Sequence, residues 1–413
     1  MQQKIHPSQD ISLAQNKKAY INQNNYYNKA TRDIDIEPSL NQDKKFQKTN
    51  TNSTGSTDDS GGETYDIEKN DFEKQKQKDE NHQENAQFVT QNAPYYLLPL
   101  KNFTRFPQYE NYYEFMKNQN LSRIQTKCSH NSYDIENYYE QLTFDNKKPY
   151  QGGVLMLEFD IYPKININST IQQKYKMGLA HTKDDKEEKP LINALQEVNE
   201  YLQDNPQSLP IFITLNIKEW LLDLIESPKV FFDSIEFEFL EIFSQNQIFT
   251  PKQILQGEKN LYDAIIKFGQ PKVSQMLGKI VIIIDPAQSN LKNQKEFQEI
   301  IDYYTNDLSD KLMFATLDSD LIQNGDYINI KDFMETNNKY NQIFVNLKGD
   351  YTFQDKKEKY FKTFDILNEA KELNFISRLY NLNQIDQYIL FRDMGMNFLC
   401  TDHIFDYPPY VAY

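Results

Sequence analysis

The sequence predicts an α/β fold, a (β/α)8 barrel preceded by a low-complexity tail. Three observations predict it. From about residue 91 onward, short runs rich in Val, Ile and Leu alternate with stretches of helical periodicity, the pattern of a parallel sheet with crossover helices. Several of the runs, Val154–Ile161, Ile211–Ile217 and Lys279–Ile284 among them, are apolar on both faces, as strands covered on both sides must be. The folded part is also long, about 300 residues, which suits a closed barrel with insertions better than a small open sheet.

Taken in order, residues 1–90 are dominated by Gln, Asn, Lys, Asp and Ser, with a Ser/Thr/Gly/Asp cluster at Thr51–Glu63 and a charged run from Glu68 to Gln87. Such a segment buries too little apolar surface to offset the entropy of ordering, so it is expected to be disordered. The domain is expected over 91–413. It opens on Tyr95–Leu98 and an aromatic lead-in to about Leu121. Strands are expected at Ile124–Cys128, Val154–Ile161, Lys176–Ala180, Ile211–Ile217, Lys279–Ile284, Gln342–Leu347, Phe375–Tyr380 and Asn397–Cys400. Between Pro190 and Asp204, apolar Leu191, Leu195, Val198 and Leu202 recur at helical spacing, with Pro190 suited to the first helical position. Further helices are expected over Leu221–Phe243, Tyr360–Leu373 and Gln384–Met394.

Composition narrows the function. The formal net charge of −15 over 413 residues disfavours nucleic-acid binding, which needs a positive surface to release counterions, and electrostatic docking on anionic lipid. Hydrophobic content is 38% and mean hydropathy −0.77, in keeping with a tail outside the fold, while 28 Tyr and 27 Phe supply a core. Two cysteines, Cys128 and Cys400, rule out a disulfide framework and a cysteine zinc site; they are expected on the first and last strands, neighbours in a closed barrel, as reduced core residues or, if their Cα atoms come within about 7 Å, as a disulfide. Met-Gln-Gln-Lys-Ile-His-Pro begins the chain without an apolar signal region, and no apolar run approaches a membrane span. The expectation is a soluble monomer, cytoplasmic or at most peripheral to a membrane. No Gly-x-Ser-x-Gly elbow and no phosphate-binding Gly loop occurs, and Asp320–Lys331 has Ile322 and Lys331 where an EF-hand needs ligands.

Five histidines occur, and His130 and His181 each follow a strand directly, where parallel barrels assemble their active sites. His130 opens Ser129-His130-Asn131-Ser132-Tyr133. In Leu157-Glu158-Phe159-Asp160 the two acids share one face of a strand whose neighbours are apolar on both faces. Two carboxylates in a dry barrel repel and lose hydration, which is costly unless a cation neutralises them. A hard divalent ion, Ca²⁺ before Mg²⁺, is the natural answer, with Asn131 adding a neutral oxygen.

These motifs resemble the calcium-dependent, phosphoinositide-specific phospholipase C family, in its short bacterial and fungal-type branch. The similarity runs from Leu121-Ser122-Arg123-Ile124-Gln125 to the C-terminus. It takes in Ile248-Phe249-Thr250-Pro251, Leu277-Gly278-Lys279-Ile280-Val281 with Asp285, Asn374-Phe375-Ile376-Ser377-Arg378, and Gly395-Met396-Asn397 leading to Thr401-Asp402. The resemblance implies a distorted (β/α)8 barrel of the phospholipase C-like phosphodiesterase type. In it a substrate hydroxyl attacks the adjacent phosphate to give a cyclic phosphate. It implies that His130 stabilises the developing phosphorane charge and that His181 protonates the leaving alcohol. Asn131, Glu158, Asp160 and, on strand four, Asn216 would hold Ca²⁺, while Lys218 and Arg378 would face the substrate's phosphate or head group. The family places an acid where this chain has Asn216, in Leu215-Asn216-Ile217-Lys218, so the ion would be held by less charge. Arg378-Leu379-Tyr380-Asn381-Leu382 lacks the second Arg and the Asp common there. Two other readings stand beside phospholipase C: a glycerophosphodiester phosphodiesterase-like enzyme on soluble substrates, and a catalytically weakened homologue that binds lipid or protein.

Overall fold

In the computed structural model, eight parallel strands close on themselves to form a barrel. The structure describes residues 112–135, 137–144, 152–166, 174–182, 189–217, 224–286, 294–317, 329–348 and 353–407. The expected tail, the aromatic lead-in before residue 112 and most of the rejected EF-hand stretch lie outside them.

The strands are β1 (Thr126–Ser129), β2 (Met156–Ile165), β3 (Tyr175–Leu179), β4 (Lys189–Pro190), β5 (Ile211–Ile217), β6 (Ile280–Asp285), β7 (Met313–Leu317), β8 (Phe344–Lys348), β9 (Ile376–Tyr380) and β10 (Phe398–Thr401). The sheet order is β1-β10-β9-β8-β7-β6-β5-β2, and the β1–β2 pairing shuts the ring. Strands β1, β5, β6, β7 and β10 are buried along their whole length, which is why β5, β6 and β7 read as nearly continuous apolar runs; β1, Thr-Lys-Cys-Ser, is buried without being apolar. The rings of Phe212 on β5 and Phe398 on β10 meet at 4.6 Å across the lumen, between strands that are not neighbours.

Helices cover the outside: α1 (Tyr112–Asn118), α2 (Tyr138–Leu142), α3 (Leu191–Asp204), α4 (Pro228–Ile242), α5 (Pro251–Leu255), α6 (Leu261–Phe268), α7 (Gln294–Thr305), α8 (Ile330–Asn337), α9 (Phe353–Glu372) and α10 (Ile385–Asp393). Helix α3 buries Leu191, Leu195, Val198 and Leu202, the stripe its spacing sets. Pro190 lies one residue outside the first turn, at the N-cap with an extended backbone, because its peptide bonds into the short β4 bridge. The apolar stretch before Phe243 becomes helical at Pro228, at the helix start where a missing N–H costs nothing. The sequence reading overlooked β7, whose five residues, Met-Phe-Ala-Thr-Leu, are too few to show a period.

The expected strand at Lys176–Ala180 forms, as β3, but it is not a barrel strand. It runs antiparallel to the far half of β2, with Ile161 opposite Leu179 and Ile165 opposite Tyr175. β2 is ten residues long, so its end projects beyond the sheet and finds a partner in the returning chain. Gly178 sits opposite Tyr162, and a Cβ there would lie 2.5 Å from the Tyr162 ring. A larger residue there would have to displace the Tyr162 ring.

Candidate active site

The site lies at the carboxyl ends of the strands. In the sheet register Asp160 on β2, Asn216 on β5 and Asp285 on β6 stand side by side. Glu158 points the same way two residues before Asp160, and both acids are buried. The turn after β1 starts at Asn131, whose left-handed backbone (φ 48°) is one that Asn tolerates. It is fastened to β2 by the Glu158 amide, which donates to Ser132 Oγ at 2.9 Å. That turn carries His130 and Tyr133 over the acids.

His130 is held by the other side of the ring closure. Its amide donates to the Thr401 carbonyl at 3.1 Å, and its Nδ1 lies 2.8 Å from Asp402 Oδ1. Asn383 in turn grips Asp402, accepting from its amide at 2.9 Å and donating to its carboxylate. Tyr380 stacks on the imidazole, with centroids 5.8 Å apart. Burial alone would push the His130 pKa down; the carboxylates of Glu158 and Asp402 overcome it and hold the pKa above the ordinary value. Burial works against Asp402 ionising as well, but its bond to His130 keeps the pKa below the usual carboxylate range.

His181 arrives by a different route. β3 ends at Leu179, the Ala180 amide donates to the Asp160 carbonyl at 3.1 Å, and the next residue, His181, sets Nδ1 3.0 Å from Asp160 Oδ2. Tyr133 Oη lies 3.1 Å from the same nitrogen and donates to Asp160 Oδ2 at 2.7 Å. It also lies 3.2 Å from Asn131 Oδ1. Tyr133 thus joins Asn131, Asp160 and His181 in one cluster.

The structure brings together His130, His181, Asn131, Glu158, Asp160, Asn216 and Arg378. Lys218 lies outside the described residues. A divalent ion is not the only group that makes the two acids tolerable, contrary to the expectation from sequence. The Asn216 amide donates to Glu158 and, at 2.9 Å, to Asp160 Oδ1. Arg378 reaches across the lumen from β9 and pairs its Nη2 with Glu158 Oε2, so a resident cation already balances that charge. Arg378, expected to face substrate, is thereby turned inward, and its Nη1 donates to Asn346 Oδ1 at 2.7 Å. Asp285, Asn346 and Asp402 carry no site role in the sequence reading. An acid closing a wholly apolar strand at its carboxyl end was the available signal for Asp285; nothing local marks Asn346.

The donor set still suits a hard cation. Among the described residues no three His, Cys, Asp or Glu side chains are grouped to hold a metal, and the oxygens on offer come from two acids and two amides. Asn216 Oδ1, however, is buried without a hydrogen-bond partner. A half-turn of that amide would add its oxygen to those of Glu158 and Asp160, the ligand chemistry of Ca²⁺.

The sequence profile described as "Phosphoinositide phospholipase C, Ca2+-dependent" matches residues 177–324. The match falls on the family that the motifs resemble, one described as Ca²⁺-dependent. No curated protein matches the chain. Among solved structures, the chain is similar to a calcium-dependent phosphoinositol-specific phospholipase C from Pseudomonas sp. (15% identity, TM-score 0.50, 71% of this chain and 94% of that one). It is also similar to a Ca²⁺-dependent phosphatidylinositol-specific phospholipase C from Streptomyces antibioticus (11% identity, TM-score 0.48, 71% and 100%). At 15% identity the Pseudomonas likeness establishes the fold. No described helix is long and apolar enough to cross a membrane.

Proposed function

We propose that the phospholipase C-type barrel cleaves the phosphodiester of phosphatidylinositol or its phosphates, with His130 and His181 dividing the proton work. The observation that carries this reading is the meeting of both imidazoles with Glu158 and Asp160 at one mouth of the barrel. A substrate hydroxyl beside the phosphate gives up its proton to water and attacks phosphorus, the bond to the glycerol oxygen breaks, and a cyclic phosphate forms. His130, engaged through Nδ1 by Asp402, uses Nε2 to donate to the phosphoryl oxygen as charge builds there. His181 has Nδ1 turned to Asp160 and Tyr133, so Nε2 delivers the proton to the leaving alcohol. Asn131, Glu158, Asp160 and Asn216 would hold Ca²⁺. When bound, Ca²⁺ supplies the positive charge that lowers the attacking hydroxyl's pKa and neutralises a phosphoryl oxygen. Lys218 is the basic group assigned to phosphate or head group. The protein is read as a monomer that meets lipid at most peripherally, since a net charge of −15 gives no electrostatic pull toward anionic lipid.

The test is the full chain on phosphatidylinositol vesicles and on glycerophosphoinositol, with Ca²⁺ or with EDTA, followed by ³¹P NMR. Calcium-dependent appearance of cyclic inositol phosphate from the lipid is the expected outcome. Faster turnover of the soluble diester without a cyclic product would replace this reading with a glycerophosphodiesterase.

A further inference from the structure

Glu158 is claimed by two cations. It is one of the two acids that would hold Ca²⁺, and in this structure the Arg378 guanidinium sits on it. The side chains of both are almost wholly buried, 4% exposed for Arg378 and 2% for Glu158. Two positive charges on one carboxylate, away from water, repel strongly. Calcium and the guanidinium therefore exclude each other at Glu158 unless the arginine moves.

It has somewhere to go. Asp285 Oδ2 lies 3.8 Å from Arg378 Nη1, so a shift of about 1 Å would make a charge-assisted hydrogen bond there. Asn346 already spans the two, accepting from Arg378 Nη1 and donating to Asp285 Oδ2. Thr316 Oγ1 holds the other oxygen of Asp285, so the second seat is built in place. Two buried orphans mark the present arrangement as one of a pair: Asn216 Oδ1 has no donor, and Arg378 Nε has no acceptor. The first asks for a cation beside Glu158 and Asp160. The second asks for a different acceptor around the arginine.

We propose that Arg378 is an intramolecular competitor of Ca²⁺, balancing Glu158 in the metal-free barrel and passing to Asp285 when the metal binds. The proposal rests on the reading of Glu158, Asp160 and Asn216 as metal donors. By linkage, whatever holds Arg378 on Glu158 weakens Ca²⁺ binding, and whatever draws it to Asp285 strengthens it.

Isothermal titration of Ca²⁺ into the full chain without substrate reads this directly, with thermal melts alongside. Arg378→Met is expected to bind Ca²⁺ about tenfold tighter or more, within the usual range of site coupling. Its metal-free melting temperature should fall, because Glu158 loses its partner, and the rise on adding Ca²⁺ should exceed that of the wild type. Asp285→Asn keeps both Arg378 and Glu158 but takes charge from the second seat, so it should bind Ca²⁺ several-fold weaker. If Arg378→Met fails to fold, Asp285→Asn decides alone. Unchanged or tighter binding by Asp285→Asn, or binding no tighter than wild type in a folded Arg378→Met, overturns the competition. Absence of Ca²⁺ binding in every protein, wild type included, instead removes the metal-donor reading, and the proposal with it.

Discussion

The two histidines of the site follow strands that look alike in sequence, yet they sit in unlike surroundings. The His130 side chain is 10% exposed, fixed by Asp402, stacked on Tyr380 and anchored where β1 meets β10. The His181 side chain is 52% exposed and hangs from an antiparallel hairpin that is an insertion in the barrel. The difference suits the two tasks proposed for them. A group that meets charge developing on a phosphoryl oxygen gains from a fixed, water-poor setting. A group that gives up a proton to a departing alcohol needs access to the mouth.

Removing either imidazole is the most forceful way to break the comparison. His130→Ala and His181→Ala are each expected to lower kcat by about 10²–10⁴-fold, the usual worth of a proton-transfer group, with circular dichroism unchanged. If one of them retains near-wild-type turnover on phosphatidylinositol, the division of labour fails for that residue.

Asp402→Asn sharpens the contrast at the buried side. It should lower turnover about tenfold, a fraction of the full effect of a proton-transfer group. NMR titration should show the His130 pKa falling while the His181 signal hardly moves. The sign of the pH effect follows from the same pair. The raised His130 pKa gives stability that is present below the ordinary histidine value and lost as pH rises through the folded one. The depressed Asp402 pKa gives stability present above the ordinary carboxylate value and lost as pH falls through the folded one. Urea melts of the wild type should therefore favour mildly acidic pH over pH 8, and Asp402→Asn should flatten that preference.

Tyr133→Phe acts on the exposed side and is the smallest change. It removes the phenol that donates to Asp160 beside His181, a hydrogen bond to a charged group worth about 1.5–3 kcal/mol. A several-fold loss of kcat with the His130 titration intact is expected. A shift in the His130 titration of equal size would show that the two sides are not separable.

Much of this was legible in the chain. The alternation of runs gave the barrel, and period two alone put Glu158 and Asp160 on one face. The His-Asn-Ser-Tyr turn and the closing Thr-Asp marked the first and last strands, and Cys128 and Cys400, both buried, stand opposite each other there. The hairpin was not legible, since a five-residue strand carries no sign of its direction. Nor was the inward turn of Arg378.

Side-chain period, turn chemistry and helix spacing depend on residues a few places apart, so the sequence by itself determined the elements and which acids would face the lumen. The partner of Glu158 stands 220 residues away in the chain. Only closure of the barrel, which sets the register of eight strands at once, decided that an arginine would meet that acid and that Asp285 would wait beside it.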